Sequence, residues 1–275
     1  MPPAYHPAHA LAHRHKQQAV AVPLIFLVLG GLATLLGMLV FLERPLTQSL
    51  VAVATFTVVL AIGVWFLHWL DRWEPEPPVY VLGAFLWGAG VSALISGIVN
   101  TVVAYSTQSE TAAAMYSAPL IEESTKGLFL VIVLLSTRRG RAEFNSLTDA
   151  IVYGGMVGLG FAWIEHISYA LMPETMAEST EVIFVRLLLV AYLHPMLTII
   201  VAIGIWAGMN ARGAMRLGWP FLAWCVAVGL HFLHNGSMAL MGERGLFVAA
   251  AIELVTFGSL ILVGIRARNR ERDMV

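Results

Sequence analysis

What most constrains this 275-residue chain is a series of apolar runs, each long enough to cross a bilayer. A spanning helix needs about 20 predominantly apolar residues. Eight stretches reach roughly that length: 20–42, 48–70, 79–105, 113–136, 148–172, 182–208, 218–241 and 245–265. None alternates apolar and polar residues as membrane barrel strands do. The expected fold class is therefore all-α, a polytopic membrane helix bundle of about eight transmembrane helices. Composition agrees, with 59% hydrophobic residues, 12% charged residues and a mean hydropathy of +0.78. These values exclude a soluble enzyme, a disordered chain and a nucleic-acid binder. The formal net charge of −1 supplies no global field for a polyanionic partner. A single cysteine, Cys225, excludes an internal disulfide, Cys-based zinc sites and CxxC redox chemistry.

Loop charges orient the bundle. With the N-terminus inside, Arg14, Lys16, Arg72, Arg138, Arg139, Arg141, Arg212, Arg216, Arg266, Arg268, Arg270 and Arg272 collect on one side, and only Arg44 and Arg244 on the other. The positive-inside rule then places both termini in the cytoplasm, which requires an even number of spans. The first run follows Arg14 and Lys16 but is longer than a signal-peptide core and lacks a small-residue cleavage site, so it reads as a retained helix. The expected layout is a disordered cytoplasmic tail over 1–19, one transmembrane domain over 20–265 and a basic cytoplasmic tail over 266–275. His6, His9, His13 and His15 belong to the first tail.

An ionisable group inside a spanning helix costs several kcal/mol and asks for a partner or a purpose. The fourth run carries Glu122, Glu123 and Lys126, the fifth Glu165 and His166, the sixth Arg186 and His194, the seventh His231 and His234, and the eighth Glu253. At 1.5 Å per residue, Glu122, Glu165, His194 and His231 lie roughly 10–18 Å from the outer ends of their helices, one layer within the precision of the run boundaries. Two carboxylate helices and two histidine helices at one level predict a buried polar centre. Glu122 and Lys126 are one turn apart and Glu123 is also within reach of Lys126, which can neutralise only one of them. The other carboxylate is available as a general base. His231 and Asn235, again one turn apart, can together donate hydrogen bonds to an oxyanion. Pro119 and Pro195 each remove a backbone hydrogen bond beside these groups. Arg186 reads as a side chain that snorkels to the outer surface, and His166 and His234 as histidines satisfied by neighbours. Glu253 has no assigned partner. Gly154, Gly155, Gly158 and Gly160 read as close helix packing beside the centre.

Arranged along the chain, these residues form a recognisable set of blocks. Asp71-Arg72-Trp73-Glu74-Pro75-Glu76-Pro77 reads as a D-R-x-E-x-E-P loop, and Glu122-Glu123-Ser124-Thr125-Lys126 as E-E-x-x-K. Phe161-Ala162-Trp163-Ile164-Glu165 reads as F-x-x-x-E, followed by His194-Pro195 with Thr198, and His231-Phe232-Leu233-His234-Asn235 as H-x-x-x-N. In these blocks, over about residues 65–240, the sequence resembles the PrsW family of intramembrane proteases, placed with the wider CAAX-processing and bacteriocin-processing membrane proteases. It departs from the family pattern at His166, where Asn is usual, and at His234, where an aromatic is common.

The resemblance implies a peptidase of regulated intramembrane proteolysis in the bacterial cell membrane. Its substrate would be a membrane-anchored, single-pass protein such as an anti-sigma factor, and it implies no oligomeric state. Glu122 and Glu123 would activate water, Glu165 and His194 would complete the centre, Lys126 would support it, and His231 with Asn235 would hold the oxyanion. HExxH is absent, and Lys126 would compete with a cation, so the preferred form is a glutamic peptidase without cofactor. Zinc is the alternative, with ligands from Glu122, Glu123, Glu165, His194 and His231. From another class, a proton-coupled transporter would also use buried Glu, Lys and His, although no inverted repeat is visible.

Overall fold

The computed structural model describes residues 21–39, 43–134 and 138–273. The tail at 1–19 lies outside these. All regular elements among the described residues are helical. In chain order they are α1 (Ala21–Leu39), α2 (Leu46–Leu70), α3 (Pro78–Thr107), α4 (residues 110–134), the short α5 (Arg138–Ala142), α6 (Leu147–Ala170), α7 (Met176–Leu189), α8 (Leu193–Asn210), α9 (Met215–Leu240) and α10 (Glu243–Arg272). Six crossings are long and apolar enough to span a membrane: α2, α3, α6, α7 with α8, α9 and α10. The protein is a multi-pass membrane protein. The described parts of the remaining two apolar runs are also helical. In α4 the charges of Glu110, Glu122, Glu123 and Lys126 lower the hydropathy, while α1 contributes 19 residues.

Helix α6 is the axis of the bundle, buried along nearly its whole length. It starts with a capping box, in which Asp149 N–H donates to Ser146 Oγ at 3.0 Å and Ser146 N–H to Asp149 Oδ2 at 2.8 Å. Helices α2, α3 and α8 pack around it, with α9 beyond α8 and α10 beyond α9. Glycines set the close approaches to α6, Gly158 and Gly160 among them. A Cβ on Gly158 would come within 2.3 Å of Pro195 Cα, and one on Gly160 within 2.0 Å of Phe85 O, so only glycine lets α8 and α3 approach α6 this closely.

At the starting end of α6 the 71–78 loop is tied down by its own acids. Asp71 Oδ2 accepts from Glu76 N–H at 2.7 Å and Glu76 Oε2 accepts from Tyr153 O–H. Helix α10 runs on to Arg272, and Arg268 lies over the Trp69 ring at 4.2 Å.

Two helices depart from regularity where chemistry-bearing residues sit. Helix α4 contains a π turn at Ala113–Ser117, directly before Pro119 and one turn before Glu122. The crossing that carries His194 is broken at residues 190–192, between α7 and α8. The first is a local widening, while the second is a turn closed by Leu193 N–H to Val190 O at 3.2 Å; each lies beside a proline, whose nitrogen has no hydrogen to donate.

Candidate active site

The buried ionisable residues of α4, α6, α8 and α9 meet in one cluster. Glu122, Glu123, Lys126, His194 and His231 are all buried. Helix α4 is held in place by a strip of small polar residues on α3. Trp87 Nε1 donates to Thr125 O at 2.9 Å, and Ser92 and Ser96 share the Thr125 hydroxyl at 2.7 and 3.2 Å. From α9, Trp224 Nε1 donates to Ser124 Oγ at 3.1 Å. These contacts fix the rotation of α4, so that Glu122 and Glu123, adjacent in sequence, point to different neighbours.

Glu123 is wholly buried and points to Lys126, whose Nζ donates to Oε1 at 2.7 Å, and to His231, whose Nδ1 lies 2.8 Å from the same oxygen. The ammonium also lies 4.7 Å from the Phe161 ring centre, which suits a desolvated cation. Glu122 has a different environment. Its Oε1 accepts from Asn100 Nδ2 at 3.1 Å, whereas Oε2 is buried with no hydrogen-bond partner among the described residues. That oxygen faces His194 Nδ1 at 3.9 Å and His231 Nε2 at 4.0 Å.

The far nitrogen of each imidazole is tied to a carboxylate: His194 Nε2 to Glu165 Oε2 at 2.6 Å, and His231 Nδ1 to Glu123. Glu165 therefore stands behind His194 rather than facing Glu122. The same Glu165 oxygen accepts from Arg186 at 2.6 Å. This corrects the expectation that Arg186 snorkels to the surface. Its Nε donates to His166 Nδ1 at 2.8 Å and its guanidinium lies over Tyr169 at 4.2 Å, because a buried carboxylate next to an arginine is a better partner than the membrane surface. Within this cluster Glu122, His194 and His231 could share one metal ion, their donor atoms lying within 4.8 Å of one another; Asp71, Glu76 and Asp149, at the starting end of α6, are a second such group among the described residues.

Asn235 is not brought to this centre. Its Nδ2 donates to Ala114 O at 2.9 Å. In the π turn that carbonyl would be bonded by the N–H of residue 119, which is a proline, so the carboxamide satisfies an otherwise orphaned group. The amide beside the carboxylate is instead Asn100, oriented by Ser117 O–H donating to its Oδ1 at 2.7 Å. Attention to ionisable groups alone passes over Asn100. The signal that finds it is the four-residue spacing of Ser92, Ser96 and Asn100, a polar stripe on one face of an apolar helix.

A helical membrane bundle whose buried centre consists of carboxylates and imidazoles has the makeup of an intramembrane hydrolase. The family profile described as PrsW family intramembrane metalloprotease matches residues 76–263. Three curated relatives bear the name Protease PrsW. That of Geobacillus kaustophilus (strain HTA426) is 30% identical over 188 residues, 68% of this chain and 77% of the relative. That of Bacillus subtilis (strain 168) is 27% identical over 65% of this chain and 79% of its own. That of Clostridioides difficile (strain 630) is 28% identical over 41% of this chain, which spans about half, 47%, of that relative. No solved structure matches the chain. The chain belongs to the PrsW family of intramembrane proteases. The relatives do not favour the transporter alternative, since all three are named as proteases.

Proposed function

We propose that the protein hydrolyses peptide bonds of membrane-protein substrates at the point where Glu122 Oε2, His194 Nδ1 and His231 Nε2 face one another. The observation that supports this is their convergence, with the remaining nitrogen of each imidazole tied to a carboxylate. Water held at this point loses a proton to Glu122 as its oxygen attacks the carbonyl carbon. The proton then passes to the amide nitrogen as the C–N bond breaks. Glu123, neutralised by Lys126, orients His231 instead of acting as a second base. Asn100 sets the Glu122 rotamer and is the nearest amide donor for an oxyanion.

The residues fit a metal ion. One carboxylate oxygen and two imidazole nitrogens are a zinc-hydrolase donor set, and ligating histidines carry just such carboxylate partners on their other nitrogen. Glu122 Oε2 lies 3.9 and 4.0 Å from the two imidazole nitrogens, so these three residues would hold the ion with small side-chain movements. Held by Glu122, His194 and His231, a zinc ion would polarise the carbonyl and acidify a water. One observation favours the metal-free, glutamic reading. Lys126 Nζ lies 3.2 Å from His194 Nδ1 and uses the lone pair a metal would need.

The wider reading is a bacterial cell-membrane enzyme with eight spans, cytoplasmic termini and a single-pass substrate of the anti-sigma factor type, entering from the outer half of the bilayer. The deciding experiment is cleavage of a reconstituted single-pass substrate by the parent and by Glu122→Gln, His194→Ala and His231→Ala, with and without chelator. Cleavage that persists in Glu122→Gln overturns the proposed centre. Loss on chelation with recovery on zinc selects the metal reading, and indifference to chelator selects the glutamic one.

A further inference from the structure

The break that separates α7 from α8 is a short interruption of a single membrane crossing, placed immediately before His194. Breaking a helix at membrane depth frees backbone groups that hydrocarbon cannot satisfy, so protein must do so. Three bonds at the break are local: Val190 N–H to Arg186 O at 3.1 Å, Leu193 N–H to Val190 O at 3.2 Å and Met196 N–H to Tyr192 O at 3.1 Å. Two others come from distant helices. His234 Nε2 of α9 lies 2.9 Å from Leu189 O, the last carbonyl of α7. Glu253 Oε1 of α10 accepts from Tyr192 N–H at 3.2 Å.

Tyr192 is the residue at which α8 begins, and its own side chain makes no capping bond to the helix. Its hydroxyl donates to Val59 O at 3.0 Å and its ring stacks on Phe257, one turn beyond Glu253. Glu253 thus satisfies the N–H of the N-cap residue, the bond that a glutamate at the third helical position makes in a capping box, here supplied by a different helix. It places a carboxylate oxygen at the positive end of α8, where such a group is stabilising. His194 is the second residue of that helix, so whatever fixes the first turn of α8 also fixes the imidazole. The same reasoning accounts for a group without a role in hydrolysis: Glu253 is buried and does not belong to the Glu122 cluster.

We infer that Glu253 is a positioning residue. It caps α8 from α10 and holds the break so that His194 Nδ1 is presented to Glu122, with His234 fastening the other side of the break. The link to hydrolysis rests on the function proposed above, whereas the capping role does not.

The test compares Glu253→Gln, which keeps an acceptor oxygen, with Glu253→Ala and Glu253→Leu, which do not. Two readouts are taken on the full-length protein in proteoliposomes: amide exchange over residues 189–194, and kcat and KM on the reconstituted single-pass substrate. Ala and Leu are expected to speed exchange in this segment about fivefold, the loss typical of one cap. They should lower kcat about tenfold or more, as misplacement of a reacting group does, with KM within about twofold. Gln should recover most of both. Exchange that is unchanged in Ala and Leu, or a Gln variant as impaired as Ala, overturns the inference. Because exchange needs no substrate, it still decides the capping role where the parent cleaves nothing, a result that would count against the proposed hydrolysis alone. Where Ala fails to fold, Leu, which fills the space apolarly, and Gln carry the comparison.

Discussion

His194 is gripped from both sides: Nε2 lies 2.6 Å from Glu165 Oε2, while Nδ1 faces Glu122 Oε2 at 3.9 Å. One carboxylate orients the ring and the other shares the reaction centre with it. In the proposed centre the two glutamates therefore have different tasks.

Glu165→Ala should therefore leave His194 in place but free to rotate. Activity and zinc affinity are expected to fall about 10- to 100-fold, as when the outer partner of a ligating histidine is removed. Steady-state cleavage and zinc titration of the purified protein measure both. Glu165→Ala should also leave Arg186 without its carboxylate, so some loss of thermal stability accompanies the change.

Asn100→Leu removes the donor to Glu122 Oε1 and keeps an apolar side chain of similar size. A hydrogen bond to a charged group contributes about 1.5–3 kcal/mol. The expected result is a kcat lower by about tenfold or more together with a lower unfolding temperature, because Glu122 Oε1 and the Ser117 hydroxyl both lose their partner. A variant with full kcat would remove Asn100 from the centre.

Lys126→Met leaves the Glu123 carboxylate buried beside His231 without its cation. Removing one partner of a buried pair costs about 3–5 kcal/mol. A large drop in unfolding temperature is expected in detergent, and the double variant Lys126→Met with Glu123→Gln should regain much of it. Equal stability of the single variant and the parent would show that the pair carries little of the fold.

Gly158→Ala tests the packing that places His194. Its new methyl group would meet Pro195 Cα at 2.3 Å and His194 O at 2.7 Å, all backbone, so α6 and α8 must separate. Both stability and cleavage should fall. The control is Gly97→Ala, where nothing lies within 4 Å. There, helix propensity predicts a gain of up to about 1 kcal/mol. Thermal unfolding and cleavage of the two variants, measured side by side, separate crowding from a general intolerance of alanine.

Much of this architecture is visible in one dimension, for a simple reason. A chain in hydrocarbon must close its backbone hydrogen bonds within each segment, so apolar runs become helices regardless of their neighbours. The high cost of burying charge likewise singles out Glu122, Glu123, Lys126, Glu165, His194, His231 and Glu253. What spacing along a helix does not contain is the rotation of that helix against the next one. Packing sets it, through contacts such as Gly158 against Pro195 and Thr125 against Ser92. That rotation separates Glu122, open towards both imidazoles, from Glu123, closed by Lys126. It turns Arg186 inward to Glu165, directs Asn235 to the carbonyl orphaned by Pro119, and brings Asn100 to Glu122 in its place. The break at 190–192 belongs to the same class, since Pro195 announces a weakness in the helix but Glu253 and His234, distant in sequence, hold it in place. The sequence by itself therefore determined the solvent, the helices and the residues too costly to bury without purpose. Only the tertiary structure decided which of those residues face one another, because direction around a helix axis is fixed by the neighbours against which the helix packs.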